Sequence, residues 1–445
     1  MFTYIKLRNF KSFSDVEINF QSKKDTVKPL SIIYGANGSG KSTIVQAFMT
    51  LEKTKGTMKF RSLIQRLLEN NINNFKEFSS RPEYMAELFR NRYSVDSIDK
   101  IIGEVKMKDS LEPMSMEFGF VIDGSPGFYM MEFDDTNLIH ERLDYKVSKR
   151  HGCFFDIDAD GIEINPNIFE SEDYYSEINK MVEMYQGKHS LLSILYNEID
   201  DKSGFFVGNN FSENLKRVLV ELNSTSLKMF EDRDILKEQD SILQSLADGN
   251  IDPSQIEELT LVEKVLNDVF ISLFDDVISA YYKKTENVGI IDYQLFLKKV
   301  VGSHVYEISF DEESSGVQKV LKTFPYLMLA VNGKTVVIDE YGTGVHDVLS
   351  SAIMNDIAKH ITGQLIITTH NTMLMEQENI SQDEFYCILC DEDFNKSIKC
   401  VSDIEQRLHP NYNIRNRYLT NPIYRNGLPK KTDGFKLDKL AELYE

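Results

Sequence analysis

From its second residue the chain alternates apolar and polar positions, through Phe2, Tyr4 and Leu7 and again through Val16, Ile18 and Phe20. That period of two predicts a pair of half-buried, edge-like strands. A continuous apolar run, Leu30-Ser-Ile-Ile-Tyr34, then meets Gly35-Ala-Asn-Gly-Ser-Gly-Lys-Ser42, after which Ile44, Val45, Ala47 and Phe48 fall at helical spacing. The predicted order is strand, glycine loop, helix. Short alternating segments return between Met114 and Ile164, broken by Asp123-Gly124, Pro126-Gly127 and Asp160-Gly161, which predicts an antiparallel sheet wrapped on the first lobe. From about Ser171 to Lys284 the pattern is mainly helical. Its clearest helix opens at Asp252-Pro253, where Asp can cap and Pro takes the first helical position. Leu259, Val262, Leu266, Val269, Phe270 and Leu273 then share one face, a stripe that reads as packing and not as a site. Sustained heptads are missing, which excludes long coiled-coil arms. After Ile290 strands resume, and from Val317 to His370 helix and buried strand alternate as in a parallel sheet.

Composition narrows the picture. A chain of 445 residues with 42% apolar content can fill two or three folded domains. A formal net charge of -20 makes the average surface repel a polyanion, so broad coating of DNA or RNA is excluded and nucleic acid would need a local basic patch, for which Lys430 and Lys431 are the candidate. Four cysteines, Cys153, Cys387, Cys390 and Cys400, are too few for a disulfide scaffold. No run approaches the roughly 18 apolar residues of a membrane span, and the N-terminus lacks the apolar core of a signal peptide. The expectation is a cytoplasmic protein without a membrane partner.

Chemistry enters with Gly35, Gly40, Lys41 and Ser42, which satisfy G-x-x-x-x-G-K-[ST] between a predicted strand and helix. Such glycines let backbone N–H groups curl around phosphates at a helix N-terminus. Gly35, Asn37, Gly38, Ser39, Gly40, Lys41, Ser42 and Thr43 form the expected ATP site. Lys41 would reach the β and γ phosphates, Ser42 a Mg2+ ion and Thr43 the α phosphate. Thr335-Val-Val-Ile-Asp339-Glu340 is a buried-strand pattern ending in two carboxylates. Asp339 is the second expected Mg2+ contact, and Glu340 the base that polarises the attacking water. A third strand, Gln364-Leu-Ile-Ile-Thr-Thr-His370, brings His370 to the same sheet edge, where ligands of open parallel sheets bind. Glu312-Glu-Ser-Ser-Gly-Val-Gln318 precedes an apolar helix and can both cap it and present N–H groups to an anion. Cys387-Ile-Leu-Cys390 has metal-like spacing but reads as core strand, and Asp391-Glu-Asp393 as the turn of a hairpin.

In order, these four elements resemble the ATP-binding cassette family: phosphate loop, signature, acidic strand and switch histidine. The resemblance implies that Ser314, Ser315 and Gly316 act in trans, completing the site of a partner protomer in a head-to-tail dimer. Leu7-Arg-Asn-Phe-Lys-Ser-Phe13 looks like the opening of SMC, RecF and Old-type ATPases, and Tyr341-Gly-Thr-Gly-Val-His346 like their dimer-contacting loop. Ser315 stands where many relatives have Gly, and no Q-loop glutamine can be placed between Met49 and Tyr145. Glu313-Ser-Ser-Gly316, Asp339-Glu340 with His346, Arg417-Tyr-Leu419 and Gly427-Leu-Pro429 are similar to small ATPases of the RloA and AbiLi type, including the ATPase subunit of PARIS-like phage-defence systems.

The resulting expectation is an α/β head of the ABC/SMC-like P-loop class with an antiparallel β subregion and an inserted helical lobe. Residues 1–165 and 286–410 form the two halves of the head, 166–285 the helical insertion and 411–445 a tail. The implied function is an ATP-hydrolysing switch or scaffold that restrains a separate toxic effector, a nuclease, until a phage-derived trigger arrives. Only about 75 residues follow His370, too few for a nuclease domain in the same chain. A RecF-like DNA-repair ATPase is the rival, and a transporter engine is disfavoured by the SMC-like start.

Overall fold

The computed structural model describes residues 1–22, 26–70, 96–230, 234–238, 242–287, 289–404 and 413–425. Three early strands, β1 (Phe2–Phe10), β2 (Phe13–Asn19) and β3 (Leu30–Tyr34), precede the long helix Lys41–Asn70. Five follow as a meander: β4 (Met114–Ile122), β5 (Ser125–Phe133), β6 (Leu138–Val147), β7 (Arg150–Ile157) and β8 (Ile162–Ile164). After four helices between Glu172 and Asn223 come β9 (Ser226–Lys228), β10 (Asp248–Ile251), β11 (Val277–Asn287), β12 (Ile290–Val301) and β13 (His304–Ser309). The helix Ser315–Val331 then leads to β14 (Thr335–Ile338), β15 (Gln364–Thr368), β16 (Phe385–Cys390) and β17 (Lys396–Cys400).

Three sheets result. The first is antiparallel, in the order β2-β1-β4-β5-β6-β7-β8. Buried positions alternate along β1 and β5, with Ile5, Leu7, Tyr129 and Met131 turned to the core, as a sheet with one wet face requires. The second, β17-β16-β3-β15-β14-β9, is parallel from β16 to β9. Every residue of β3, β14 and β15 is buried because both faces are covered: Ile33, Val337 and Ile366 pack toward the first sheet and the helix Lys41–Asn70, while Ile32, Ile338 and Ile367 pack toward the helix Ser315–Val331. Gln364 ties the two sheets together. Its wholly buried amide accepts from the Phe2 N–H at 2.7 Å and donates to the Phe2 carbonyl at 2.8 Å. The third sheet gathers β10, β11, β12 and β13 over the helix Ile256–Leu273, with a separate core of Leu259, Leu266, Phe270, Tyr282 and Leu295.

One expected boundary needs correction. Residues 166–285 are not a single helical insertion: the helices of 172–223 share the core of the first sheet, β9 joins the parallel sheet beside β14, and β10 and β11 belong to the third sheet. The start at 286 cuts the β11–β12 hairpin. The cause is physical. One end of β11 carries Lys283, Lys284, Thr285 and Glu286, all exposed, so it lacks the apolar run of a strand, while β9 is three residues long and needs the sheet to exist. Residues 413–425 of the expected tail also fold back, with Ile414, Tyr418 and Tyr424 in the core beneath Tyr34 and Phe385. Among the described residues no helix is long and apolar enough to cross a membrane.

Candidate functional site

Strand order assembles the site. β15 lies between β3 and β14, all parallel, with Thr368 in register with Ile33 and Ile338 with Ile367. The residues that leave these strands therefore emerge side by side at one edge: the glycine loop after β3, His370 after β15, Asp339 and Glu340 after β14. A polypeptide separation of almost 300 positions becomes a separation of two strands.

Gly38 and Gly40 take φ values of +76° and +115°, a region that side chains disfavour. Gly40 also lacks room, since a Cβ there would come within 2.5 Å of the Phe13 ring. The Leu7–Phe13 segment thus buttresses the loop directly. Lys41 opens the helix, is buried, and donates to the carbonyls of Gly35 and Ala36 at 2.8 and 3.0 Å. Asn37 is exposed, Ser42 half-buried and Thr43 buried. The buried Ser39 hydroxyl has no hydrogen-bond partner. A buried polar atom without a partner, in a glycine loop at a helix N-terminus, fits a polyphosphate.

The carboxylates are held by a residue that motif reasoning passed over. The Thr368 hydroxyl donates to Asp339 Oδ1 at 2.6 Å and accepts from the Glu340 N–H at 2.9 Å. Asp339 is buried, with its N–H bonded to the Lys228 carbonyl on β9. Glu340 has φ +50°, uncommon for a residue with a side chain and concentrated at functional sites. Polar Thr368 and Thr369 at the end of an apolar strand were the available signal. Thr369 anchors the next turn, donating to the Tyr341 carbonyl at 2.8 Å.

Electrostatics shows the convergence. Burial pulls the Lys41 pKa down, opposed by Glu340 and then Asp339. His370, exposed at the strand end, is likewise lowered by burial and then by Lys41, with Glu340 and Asp339 opposing. A lowered imidazole is neutral near pH 7. Asp339 offers a carboxylate oxygen beyond the one Thr368 holds, and Ser42 a hydroxyl, a hard oxygen donor set suited to Mg2+.

The expected signature residues lie at the start of the helix Ser315–Val331. Ser314 caps the helix Ser315–Val331, accepting from the Val317 N–H, and Ser314 and Ser315 are exposed. Gly316 faces the Gly344 carbonyl, 3.4 Å from where a Cβ would lie, which seats this helix start on the loop following the acidic strand. His346 caps the next helix, Asp347–Ile357, through Nδ1. Glu313 is tied to Lys299, which also reaches Asp276. Cys387 is buried core and its thiol is pushed above its ordinary value by burial, while Asp391 closes the β16–β17 turn by accepting from Asn395 and Asp393. Arg417 and Leu419 lie on the helix Ile414–Thr420; Gly427–Pro429, Lys430 and Lys431 lie outside the described residues.

A family model described as "AAA domain, putative AbiEii toxin, Type IV TA system" matches residues 30–376, and a second, described as "AAA domain", matches residues 1–52. No curated protein matches the chain. Among solved structures, the SMC head domain from Thermotoga maritima is similar at 13% identity, covering 90% of this chain and 98% of that chain with a TM-score of 0.38. The Smc head domain with an extended coiled coil bound to the C-terminal domain of ScpA, derived from Pyrococcus furiosus, is similar at 16% identity, with coverage of 91% and 98% and a TM-score of 0.37.

Proposed function

We propose that this chain, which belongs to the family described as "AAA domain, putative AbiEii toxin, Type IV TA system" through a match over residues 30–376, binds and hydrolyses ATP and uses the cycle to control a toxic response to phage. The observation that carries this reading is the meeting of Lys41, Asp339, Glu340 and His370 at one edge of the parallel sheet. The loop N–H groups and Lys41 bind the phosphates. Ser42 and Asp339 would hold Mg2+, which neutralises phosphate charge when bound. Glu340 takes a proton from the attacking water as its oxygen bonds to the γ phosphorus and the bond to the bridging oxygen of ADP breaks. Neutral His370 holds a hydrogen bond to the γ-phosphoryl group or the water.

Two finer features belong to the same proposal. The helix start at Ser314–Gly316, exposed at Ser314 and Ser315, suits the phosphates of a second protomer, so the active form is a head-to-tail dimer or a larger homo-oligomer. The toxic activity resides in a separate effector, a nuclease by the resemblance above, released by a phage component in the cytoplasm. The test is twofold. Purified protein should turn over ATP only with Mg2+, and Lys41→Ala should abolish binding. Bacteria carrying the native locus should survive phage challenge and lose protection with Lys41→Ala. Undiminished protection, or no turnover with or without the partner, would overturn the reading.

A further inference from the structure

β17 carries a lysine that the chemistry above leaves unused. Lys396 Nζ donates to the Gly38 carbonyl at 3.2 Å and stands 5.8 Å from the centroid of the Phe13 ring, the same ring that fills the space beside Gly40. Lys396 is half-buried, burial lowers its pKa, and among the described residues no carboxylate forms an ion pair with it. A partly desolvated ammonium without a carboxylate is costly, and here it lies against the rim of an anion-binding loop. It is also delivered rigidly. Lys396 pairs with Cys390 as the first rung after a turn in which Asp391 accepts three hydrogen bonds.

A loop can aim its N–H groups at a phosphate only if the intervening carbonyls point elsewhere. Lys41 reaches the Gly35 and Ala36 carbonyls, but the same ammonium is also needed by the phosphates once ATP is bound. The hold on Gly38 comes from a different hairpin and has no such conflict. We propose that Lys396 is a positioning residue for nucleotide: by holding the Gly38 carbonyl it keeps the phosphate loop in its binding conformation before ATP arrives, with the neighbouring Phe13 ring bracing the loop at Gly40. This rests on the nucleotide-binding reading above.

The experiment measures ATP and ADP affinity with Mg2+, together with turnover, in the unaltered chain, Lys396→Met, Lys396→Arg and Lys41→Ala. Lys396→Met should weaken both nucleotides by the same factor, roughly tenfold, the size of one charge-assisted hydrogen bond. KM should rise in parallel while kcat stays within about threefold, the melting temperature without nucleotide should not change, and Lys396→Arg should restore affinity. If Lys396→Met does not fold, Lys396→Gln, which keeps a donor without the charge, should show the same equal loss at smaller size. Unaltered affinity in these variants overturns the inference, as does a loss confined to ATP, which would mean that Lys396 touches the γ phosphate itself. Absence of binding by the unaltered chain would instead sink the nucleotide reading, and this inference with it.

Discussion

At the scale of single residues, Thr368 and Glu340 separate positioning from chemistry. Thr368 spends one hydroxyl on both carboxylate residues, so Thr368→Val leaves the buried Asp339 oxygen short of a donor and frees the backbone at Glu340. The expected cost is about 1–3 kcal/mol of stability and a fall in kcat, both recovered in Thr368→Ser. Glu340→Gln keeps the backbone and removes the base. It should lower kcat by roughly 10²–10⁴-fold while ATP stays bound, measured as retained nucleotide after gel filtration. Release of ATP by Glu340→Gln as fast as by the unaltered chain would contradict its assignment.

Among the elements, the helix Leu191–Asp201 shows how the phosphate-loop helix is tied to the first sheet. Ser193 accepts from the Met58 N–H at 2.8 Å, and Glu141 on β6 accepts from the Leu191 N–H and the Tyr129 hydroxyl, both at 2.7 Å. Glu141 lines a small recess together with His189, Gln186 and Val182. Burial pushes its carboxyl up from 4.5 to about 7, against the pull of the Leu191 and Leu192 N–H groups and Tyr129. The folded chain therefore holds this proton more tightly than the unfolded chain. Its contribution is full below pH 4.5, is lost as pH rises toward 7, and amounts to something on the order of 3 kcal/mol. Thermal stability of the unaltered protein should fall between pH 5 and 7 more steeply than that of Glu141→Gln; equal slopes would show that Glu141 does not titrate there.

For the whole molecule, the helix Ser315–Val331 spans two cores: Val317, Leu321 and Phe324 pack under the third sheet, and Leu327, Leu329 and Ala330 under the parallel sheet. A protomer bound at Ser314 would thus push on a helix that leads to the acidic strand. ATP should move Glu340→Gln from 51.4 kDa toward twice that mass in light scattering, and Ser314→Arg, which crowds the exposed cap, should block the shift. An ATP-bound dimer that tolerates Ser314→Arg would remove the in-trans role.

Local chemistry made some of this legible from the residues alone. The glycine loop, the acid-ended strand, the histidine-ended strand, the Asp252 cap and the β16–β17 turn are each encoded by neighbours in the chain, through backbone conformations and apolar runs that few alternatives satisfy. Strand order, the clamp of Gln364 on Phe2, the double use of Thr368, the reach of Lys396 to Gly38 and the dispersal of residues 166–285 among three sheets could not be read that way. Each depends on contacts between distant positions, chosen because together they bury the most apolar surface and leave the fewest polar groups unpaired. A short segment such as Ser226–Lys228 carries too little of that balance to reveal its place until the whole sheet has formed.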